Sequence, residues 1–162
     1  MSSNRVGIVV GSRSDIAAAE KAAAVLDELG VESETRVISA HRAPDLLASW
    51  VASASDRGIG VFIAIAGLAA HLPGVVASQT ALPVIGVPMP GGVSDGLDAL
   101  LAIVQMPKGV PVATVGVGNG ENAGLLAASI LAVSDDGLRQ RLAARRANQA
   151  ASIAADPANE GL

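Results

Sequence analysis

The chain of 162 residues contains no cysteine and no tyrosine, and it has only one tryptophan, one phenylalanine and two histidines. Without cysteine there is no disulfide framework, no thiolate zinc site and no iron–sulfur cluster, which fits a reducing compartment. Imidazole is then the one side chain of this chain that ordinarily exchanges protons near neutral pH. Any proton-transfer chemistry therefore points to His41 and His71.

Charge is also scarce, because 16% of the residues are charged and 51% are hydrophobic. The net charge of −4 and the isoelectric point of about 5.0 provide no basic surface for nucleic acid or for an anionic membrane. Residues 61–87 are apolar enough to suggest a membrane span, but His71, Pro73 and Pro83 divide them into pieces much shorter than the ~20 residues that a span needs. We therefore expect a cytoplasmic protein that binds neither nucleic acid nor membranes.

So few charges leave a small polar surface, and a monomer would expose large apolar patches. Such patches usually lie between subunits, so the composition predicts a homo-oligomer. The length fits one domain, residues 1–162, with a core at about 5–133 and a C-terminal helical arm at about 135–155. Two interpretations of the arm stay open: a solvated final helix, or a helix that packs on a neighbouring subunit.

Short β-branched runs alternate along the chain with longer segments of helical period. The runs predict strands at 6–10, 34–38, 61–66, 83–87 and 110–115. The helical segments lie at 15–29, from Pro44 to Arg57-Gly58, and at 72–80, 97–104 and 121–133. The first helix is predicted to bury one stripe: Ile16, Ala19, Ala23, Leu26 and Leu29. Parallel neighbours need crossover connections, so the alternation predicts an α/β fold, a three-layer sandwich with a central parallel sheet of flavodoxin-like or Rossmann-like type.

In open parallel sheets, ligands bind outside the carboxyl ends of the strands. The loops that follow the first four predicted strands, at 11–15, 39–42, 67–74 and 88–92, contain both histidines and turns rich in hydroxyl groups or in glycine. Because both histidines lie in these loops, the sequence predicts one site at this edge of the sheet.

The first of these loops, Gly-Ser-Arg-Ser-Asp, stands before a helix and offers N–H groups, hydroxyls and a helix dipole to a phosphate or carboxylate. It has neither Walker A nor Gly-x-Gly-x-x-Gly spacing, and simple capping by Ser12 or Ser14 stays an alternative. Arg42 can clamp a phosphate through two oxygens, or it can form a surface ion pair. Capping of a helix would likewise explain His71.

Six blocks in this order resemble the 5-(carboxyamino)imidazole ribonucleotide mutase family of purine biosynthesis, and the resemblance covers roughly residues 6–133. The blocks are Val-Gly-Ser-Arg-Ser-Asp (10–15), Val-Ile-Ser-Ala-His-Arg-Ala-Pro-Asp (37–45), Ala-Ala-His-Leu-Pro-Gly (69–74), Leu-Pro-Val-Ile-Gly-Val-Pro (82–88), Gly-Leu-Asp-Ala-Leu-Leu-Ala-Ile-Val-Gln-Met-Pro (96–107) and Gly-Val-Pro-Val-Ala-Thr-Val (109–115).

The resemblance implies an isomerase that moves a carboxylate from the exocyclic nitrogen of a ribonucleotide to imidazole carbon 4. In the family this proceeds by decarboxylation and recarboxylation, with carbon dioxide held in place. The resemblance implies neither a metal nor an organic cofactor, and it implies a homo-octamer in which the C-terminal arm reaches a neighbour. His41 would be the general acid/base.

Substrate-binding roles are implied in the same way. Ser12, Ser14 and Asp15 would line the first loop, with Asp15 accepting hydrogen bonds from the ribose, while Ser39 and Arg42 would hold the phosphate. The residues that would wall the pocket for the carboxylate and carbon dioxide are Ala66, Gly67, Ala70, His71 and Leu72.

The third loop departs from the family pattern. Ile65 replaces a glycine at the end of the strand, and Leu68 stands where glycine or methionine is common, which affects the expected shape of the pocket. Two alternatives to the mutase stay open. One is an aminoimidazole ribonucleotide carboxylase that uses free carbon dioxide; the other is a non-catalytic phosphate-ligand sensor, which would need Arg42 and the serines but not His41.

Overall fold

A five-stranded parallel sheet forms the centre of the molecule in the computed structural model, which describes residues 4–161. Its strand order is β2-β1-β3-β4-β5, the flavodoxin-like order with a switch point between β1 and β3. The strands are β1 (Arg5–Val10), β2 (Ser33–Val37), β3 (Ile59–Ala66), β4 (Val84–Pro88) and β5 (Ala113–Thr114). In register, Val10 pairs with Ile65 and Ile65 with Val87, so the carboxyl ends of the three central strands lie side by side.

Helices connect the strands and cover both faces of the sheet. They are α1 (Ile16–Glu28), α2 (Pro44–Ala52), α3 (Leu72–Ala77), α4 (Leu97–Val104), α5 (Gly120–Leu131) and α6 (Asp136–Ala154). None of these helices, in the part of the chain that the structure describes, is long and apolar enough to cross a membrane.

Each face of the sheet has its own core. Ile63 of β3 packs with α1 and α5 on one face, whereas its neighbour Phe62 packs with α2, α3 and α4 on the other. Side chains of a strand alternate between the two faces, so a strand buried on both sides is apolar throughout. The predicted α/β fold with a central parallel sheet between two helical layers is confirmed.

The contact between α1 and α5 is built from small residues. A methyl group added at Gly120 would overlap the carbonyl oxygen of Ala18, and one added at Gly124 would lie 2.7 Å from the carbonyl oxygen of Ala22. The two helix backbones therefore touch. This contact also explains an error in the predicted stripe of α1, because Ile16 and Ala23 are only half-buried, while the residues that face the sheet and α5 are buried: Ala18, Ala19, Ala22, Val25, Leu26 and Leu29.

Several predicted elements are shorter in the structure. The helix predicted from Pro44 to Arg57-Gly58 ends at Ala52, and a separate 3-10 turn follows at Ser55–Arg57. The strand predicted at 110–115 pairs only over Ala113–Thr114, because Pro111 has no N–H to donate to a neighbouring strand. The helix predicted at 72–80 ends at Ala77, and the Thr80 side chain instead accepts a hydrogen bond from the N–H of Leu82 at 3.0 Å. That turn directs the chain into β4.

The C-terminal helix α6 is docked only over its first half. Leu138 is buried, Arg141 Nε donates to the Leu29 carbonyl at 2.8 Å, and Arg145 forms ion pairs with Glu28 and Glu121 at 3.3 and 2.6 Å. The hydrogen bond from Arg145 to Glu121 is the main reason why the pKa of Arg145 is raised. The second half of α6 is exposed, so the interpretation of the arm as a solvated helix fits only that half. The packing of the arm on a neighbouring subunit stays a prediction.

Candidate active site

A cavity of about 770 Å³ opens at the carboxyl edge of the sheet, between the loops that follow β1, β2, β3 and β4. This is the edge at which the sequence placed the site. The residues that line the cavity are Gly11, Ser12, Ser14, Asp15, Ser39, Ala40, His41, Arg42, Ala66, Gly67, Leu68, Ala69, His71, Leu72, Met89 and Pro90.

The two histidines of the chain meet in this cavity although they are 30 residues apart. Nε2 of His41 lies 2.9 Å from Nδ1 of His71, and the two rings are nearly perpendicular, with centroids 5.0 Å apart. One ring nitrogen donates and the other accepts, so this contact fixes the tautomer of each ring relative to the other. His71 occupies the N-cap position of α3, but its side chain makes no capping hydrogen bond, so capping does not explain it.

Arg42 joins the loops after β1 and β2. Its Nη2 donates to the Gly11 carbonyl at 3.2 Å, and its backbone N–H donates to Ser39 Oγ at 3.3 Å. None of the ion pairs among residues 4–161 involves Arg42, so the alternative of a surface ion pair is not observed. An exposed guanidinium without a carboxylate partner remains available to an anion at the cavity.

The first loop forms a 3-10 turn at Arg13–Asp15 that leads directly into α1. Ser12 Oγ caps this turn by accepting a long hydrogen bond of 3.4 Å from the N–H of Ser14, and Ser14 Oγ donates to Asp15 Oδ1 at 3.1 Å. The capping predicted for Ser12 is therefore present. It does not remove these residues from the site, because Ser12, Ser14 and Asp15 all line the cavity.

The predicted pocket wall is present except at one position. Ala66, Gly67, His71 and Leu72 line the cavity, as expected for the loop after β3. Ala70 does not, because it is 1% exposed and its methyl group packs in the core shared by α2, α3 and α4.

Six residues that line the cavity were absent from the predicted set: Gly11, Ala40, Leu68, Ala69, Met89 and Pro90. Met89 and Pro90 come from the loop after β4, which the sequence analysis placed at this edge without assigning a site residue in it. Leu68 lines the cavity with an exposed side chain and has a backbone φ of 56°. The signal that could have found them is their position, directly after the ends of buried strands. Within residues 4–161, no three imidazole or carboxylate groups gather in a way that could hold a metal ion.

Comparisons with known proteins identify the family of this chain. The family model described as AIR carboxylase matches residues 5–152. Over 154 residues the chain is 53% identical to the N5-carboxyaminoimidazole ribonucleotide mutase of Mycobacterium tuberculosis, with 95% of this chain and 88% of the relative covered. It is 50% identical over 151 residues to the chloroplastic phosphoribosylaminoimidazole carboxylase of Vigna aconitifolia, covering 93% of this chain but 27% of that much longer protein.

The fold comparison gives the same result. The crystal structure of Treponema denticola PurE superposes with a TM-score of 0.88 at 30% sequence identity, and the match covers 98% of this chain and 99% of that chain. Sequence and structure thus match over nearly the whole length of the protein. The chain belongs to the AIR carboxylase family.

Proposed function

We propose that the protein is an isomerase of purine biosynthesis that converts N5-carboxyaminoimidazole ribonucleotide into 4-carboxy-5-aminoimidazole ribonucleotide. The observation that carries the proposal is that the hydrogen-bonded His41–His71 pair and Arg42, which has no carboxylate partner among residues 4–161, line the same cavity. The histidine pair supplies a proton carrier, and Arg42 supplies an anion-binding group in the same cavity. The 53% identity to a relative named as the mutase supports the same reaction.

The phosphate of the substrate binds to Arg42, Ser39 and the first loop. Only one N–H group of the Arg42 guanidinium is used in its bond to the Gly11 carbonyl, and the remaining donors can form charge-assisted hydrogen bonds to phosphate oxygens. The hydroxyl groups of Ser12 and Ser14 and the positive end of the α1 dipole add favourable interactions with an anion. The carboxylate of Asp15 accepts hydrogen bonds from the ribose.

The reaction needs one proton carrier. The bond between the exocyclic nitrogen and the carboxylate carbon breaks, the nitrogen takes a proton from His41, and carbon dioxide is formed. Imidazole carbon 4 then bonds to the carbon dioxide, and the proton displaced from carbon 4 returns to His41. Atoms and electrons balance without an oxidant or ATP, and His71 holds the His41 ring in one orientation through the 2.9 Å contact.

Carbon dioxide is small and uncharged, so shape rather than charge must retain it. Ala66, Gly67, Leu72 and Met89 provide apolar walls beside the two histidines. Such a wall disfavours water and keeps the carbon dioxide within reach of carbon 4.

One experiment separates this activity from its alternatives. Purified protein is given N5-carboxyaminoimidazole ribonucleotide in one reaction and aminoimidazole ribonucleotide with bicarbonate in another, and formation of the 4-carboxy product is followed by NMR. A mutase converts the first substrate in preference to the second. Conversion of the second alone would support the carboxylase instead, and binding of both ribonucleotides without conversion would support the sensor.

We also propose that residues 1–162 form one domain, that eight copies assemble into a homo-octamer, and that the protein acts in the cytoplasm. Assembly is supported by an apolar stripe on α4, in which Leu97, Leu101 and Val104 are 44–51% exposed. The octamer number and the cytoplasmic location rest on the family resemblance. Light scattering tests the assembly, and a monomer at micromolar concentration would contradict it.

A further inference from the structure

Leu68 has a backbone conformation that leucine rarely adopts. Its φ of 56° lies in the left-handed region, and within residues 4–161 only Asp95 is also a non-glycine residue with positive φ. The conformation brings Cβ close to the following carbonyl oxygen, so it costs free energy for a bulky residue and is nearly free for glycine. Such outliers persist where the surrounding structure holds them, and they are concentrated at ligand sites.

The course of the chain after β3 accounts for the left-handed backbone at position 68. It does not account for the presence of a leucine side chain there. After β3 ends, the N–H of Ala70 donates to the Leu68 carbonyl at 2.9 Å, and the N–H of His71 donates to the Ala69 carbonyl at 2.8 Å. These two tight turns bring His71 to the cavity within a few residues of the strand. Glycine at position 68 would follow the same path with less strain.

The leucine side chain gains little from burial, because Leu68 is 62% exposed. It lines the cavity, and a methyl group added at Gly92 would lie 3.1 Å from Leu68 Cδ2. The side chain therefore extends from the loop after β3 to the loop after β4, which also contributes Met89 and Pro90. The Leu68 side chain thus lies on the apolar rim of the cavity, between these two loops.

We infer that Leu68 is a positioning residue that keeps carbon dioxide in the cavity between the two halves of the isomerisation, an inference that rests on the proposed function. Once the bond to nitrogen has broken, carbon dioxide either bonds to carbon 4 or leaves the cavity. If it leaves, the nitrogen keeps its proton and aminoimidazole ribonucleotide is released. An apolar side chain across the rim lowers the rate of escape without taking part in the chemistry.

The test measures how the reaction divides between these two outcomes. Substrate with a ¹³C-labelled carboxylate is incubated with enzyme, unlabelled bicarbonate and carbonic anhydrase, and an enzyme-free control corrects for spontaneous decarboxylation. We expect Leu68→Ala and Leu68→Gly to raise the ratio of released aminoimidazole ribonucleotide to labelled product by roughly tenfold. About tenfold is the lower end of the effects that follow from the loss of an apolar contact in a pocket. Leu68→Met, which restores an apolar cover, should behave like the unsubstituted protein.

Matched variants show whether leakage of carbon dioxide results from the loss of the Leu68 side chain or from a change in backbone strain. Leu68→Ala keeps the strain and Leu68→Gly relieves it, so equal leakage from both identifies the side chain as the cause. Leu46, at 57% exposure on α2, does not line the cavity, and Leu46→Ala should leave the ratio unchanged. Equal label retention in Leu68→Ala and the unsubstituted protein would overturn the inference while leaving the proposed function intact. No labelled product from any variant or from the unsubstituted protein would overturn the function itself.

Discussion

The contact between α1 and α5 and the pocket wall after β3 are both built from glycine and alanine, yet the small residues have opposite effects in the two regions. At the helix contact, Gly120 and Gly124 allow two backbones to touch and leave no space between them. At the cavity, the short side chain of Ala66 and the lack of a side chain at Gly67 leave the space that the cavity occupies. Composition alone does not distinguish the two uses; the position relative to the strand ends does.

The largest expected effect is at the cavity, from His41→Asn. Removal of the general acid/base should lower kcat by about 100-fold or more, while ligand binding and stability change little because His41 is exposed. Steady-state kinetics, calorimetric binding and thermal unfolding measure the three quantities. Turnover within a few-fold of the unsubstituted protein would remove His41 from the mechanism.

Arg42→Ala is expected to weaken binding next most strongly. Loss of charge-assisted hydrogen bonds should cost about 1.5–3 kcal/mol, or roughly 10- to 150-fold in Kd for the ribonucleotide. The dephosphorylated nucleoside should bind almost unchanged, and Arg42→Lys should recover only part of the loss because it lacks the planar fork. If both ligands weaken equally in titrations, Arg42 does not hold the phosphate.

The helix contact is tested through stability rather than activity. Gly124→Ala should destabilise the protein by about 1–3 kcal/mol, because the new methyl group meets the backbone of α1. Gly137→Ala is the matched control, since its methyl group would lie 3.3 Å from a side-chain atom of Arg141 and 3.4 Å from one of Asp135 and would meet no backbone of another element. It should change the stability by no more than about 1 kcal/mol. Urea unfolding measures both, and a neutral Gly124→Ala would contradict the tight contact.

The smallest expected effect concerns strain at the cavity. Leu68→Gly should be more stable than Leu68→Ala by about 1 kcal/mol, because alanine at a positive φ keeps the steric conflict that glycine relieves. At most positions alanine gives a more stable protein than glycine does, so the expected order is the reverse of the usual one. Equal unfolding midpoints for the two variants would show that the backbone at this position carries no strain.

Most of the fold follows from the sequence because β-branched runs and helical periods alternate without ambiguity. The exceptions have local causes, such as the missing N–H of Pro111 in the last strand and the turn at Thr80 after α3. The buried face of α1 was misplaced because its position depends on α5, a partner about 100 residues away that no local pattern records.

The loops that surround the cavity could be predicted from the sequence, because the strand ends of a parallel sheet share one edge. The internal geometry of these loops could not be predicted. The contact between His41 and His71 depends on how two separate loops turn, and the left-handed Leu68 has no sequence signal, since leucine is ordinarily excluded from that conformation. Ala70 was expected in the pocket wall because the family resemblance implied it, but the turn between Leu68 and His71 directs its side chain into the core.

The strand order also bears on how this protein behaves when it unfolds. β3, with the sequence Ile-Gly-Val-Phe-Ile-Ala-Ile-Ala, is uncharged and rich in β-branched residues, the type of segment that self-associates in extended form. In the folded protein it is hydrogen-bonded on both sides, while the sheet edges are β2, which carries Glu34 and Arg36, and β5, which is two residues long. Charged and very short edge strands resist pairing with other molecules. Folding thus hides the segment most prone to aggregation, and heating past the unfolding transition should end in irreversible precipitation.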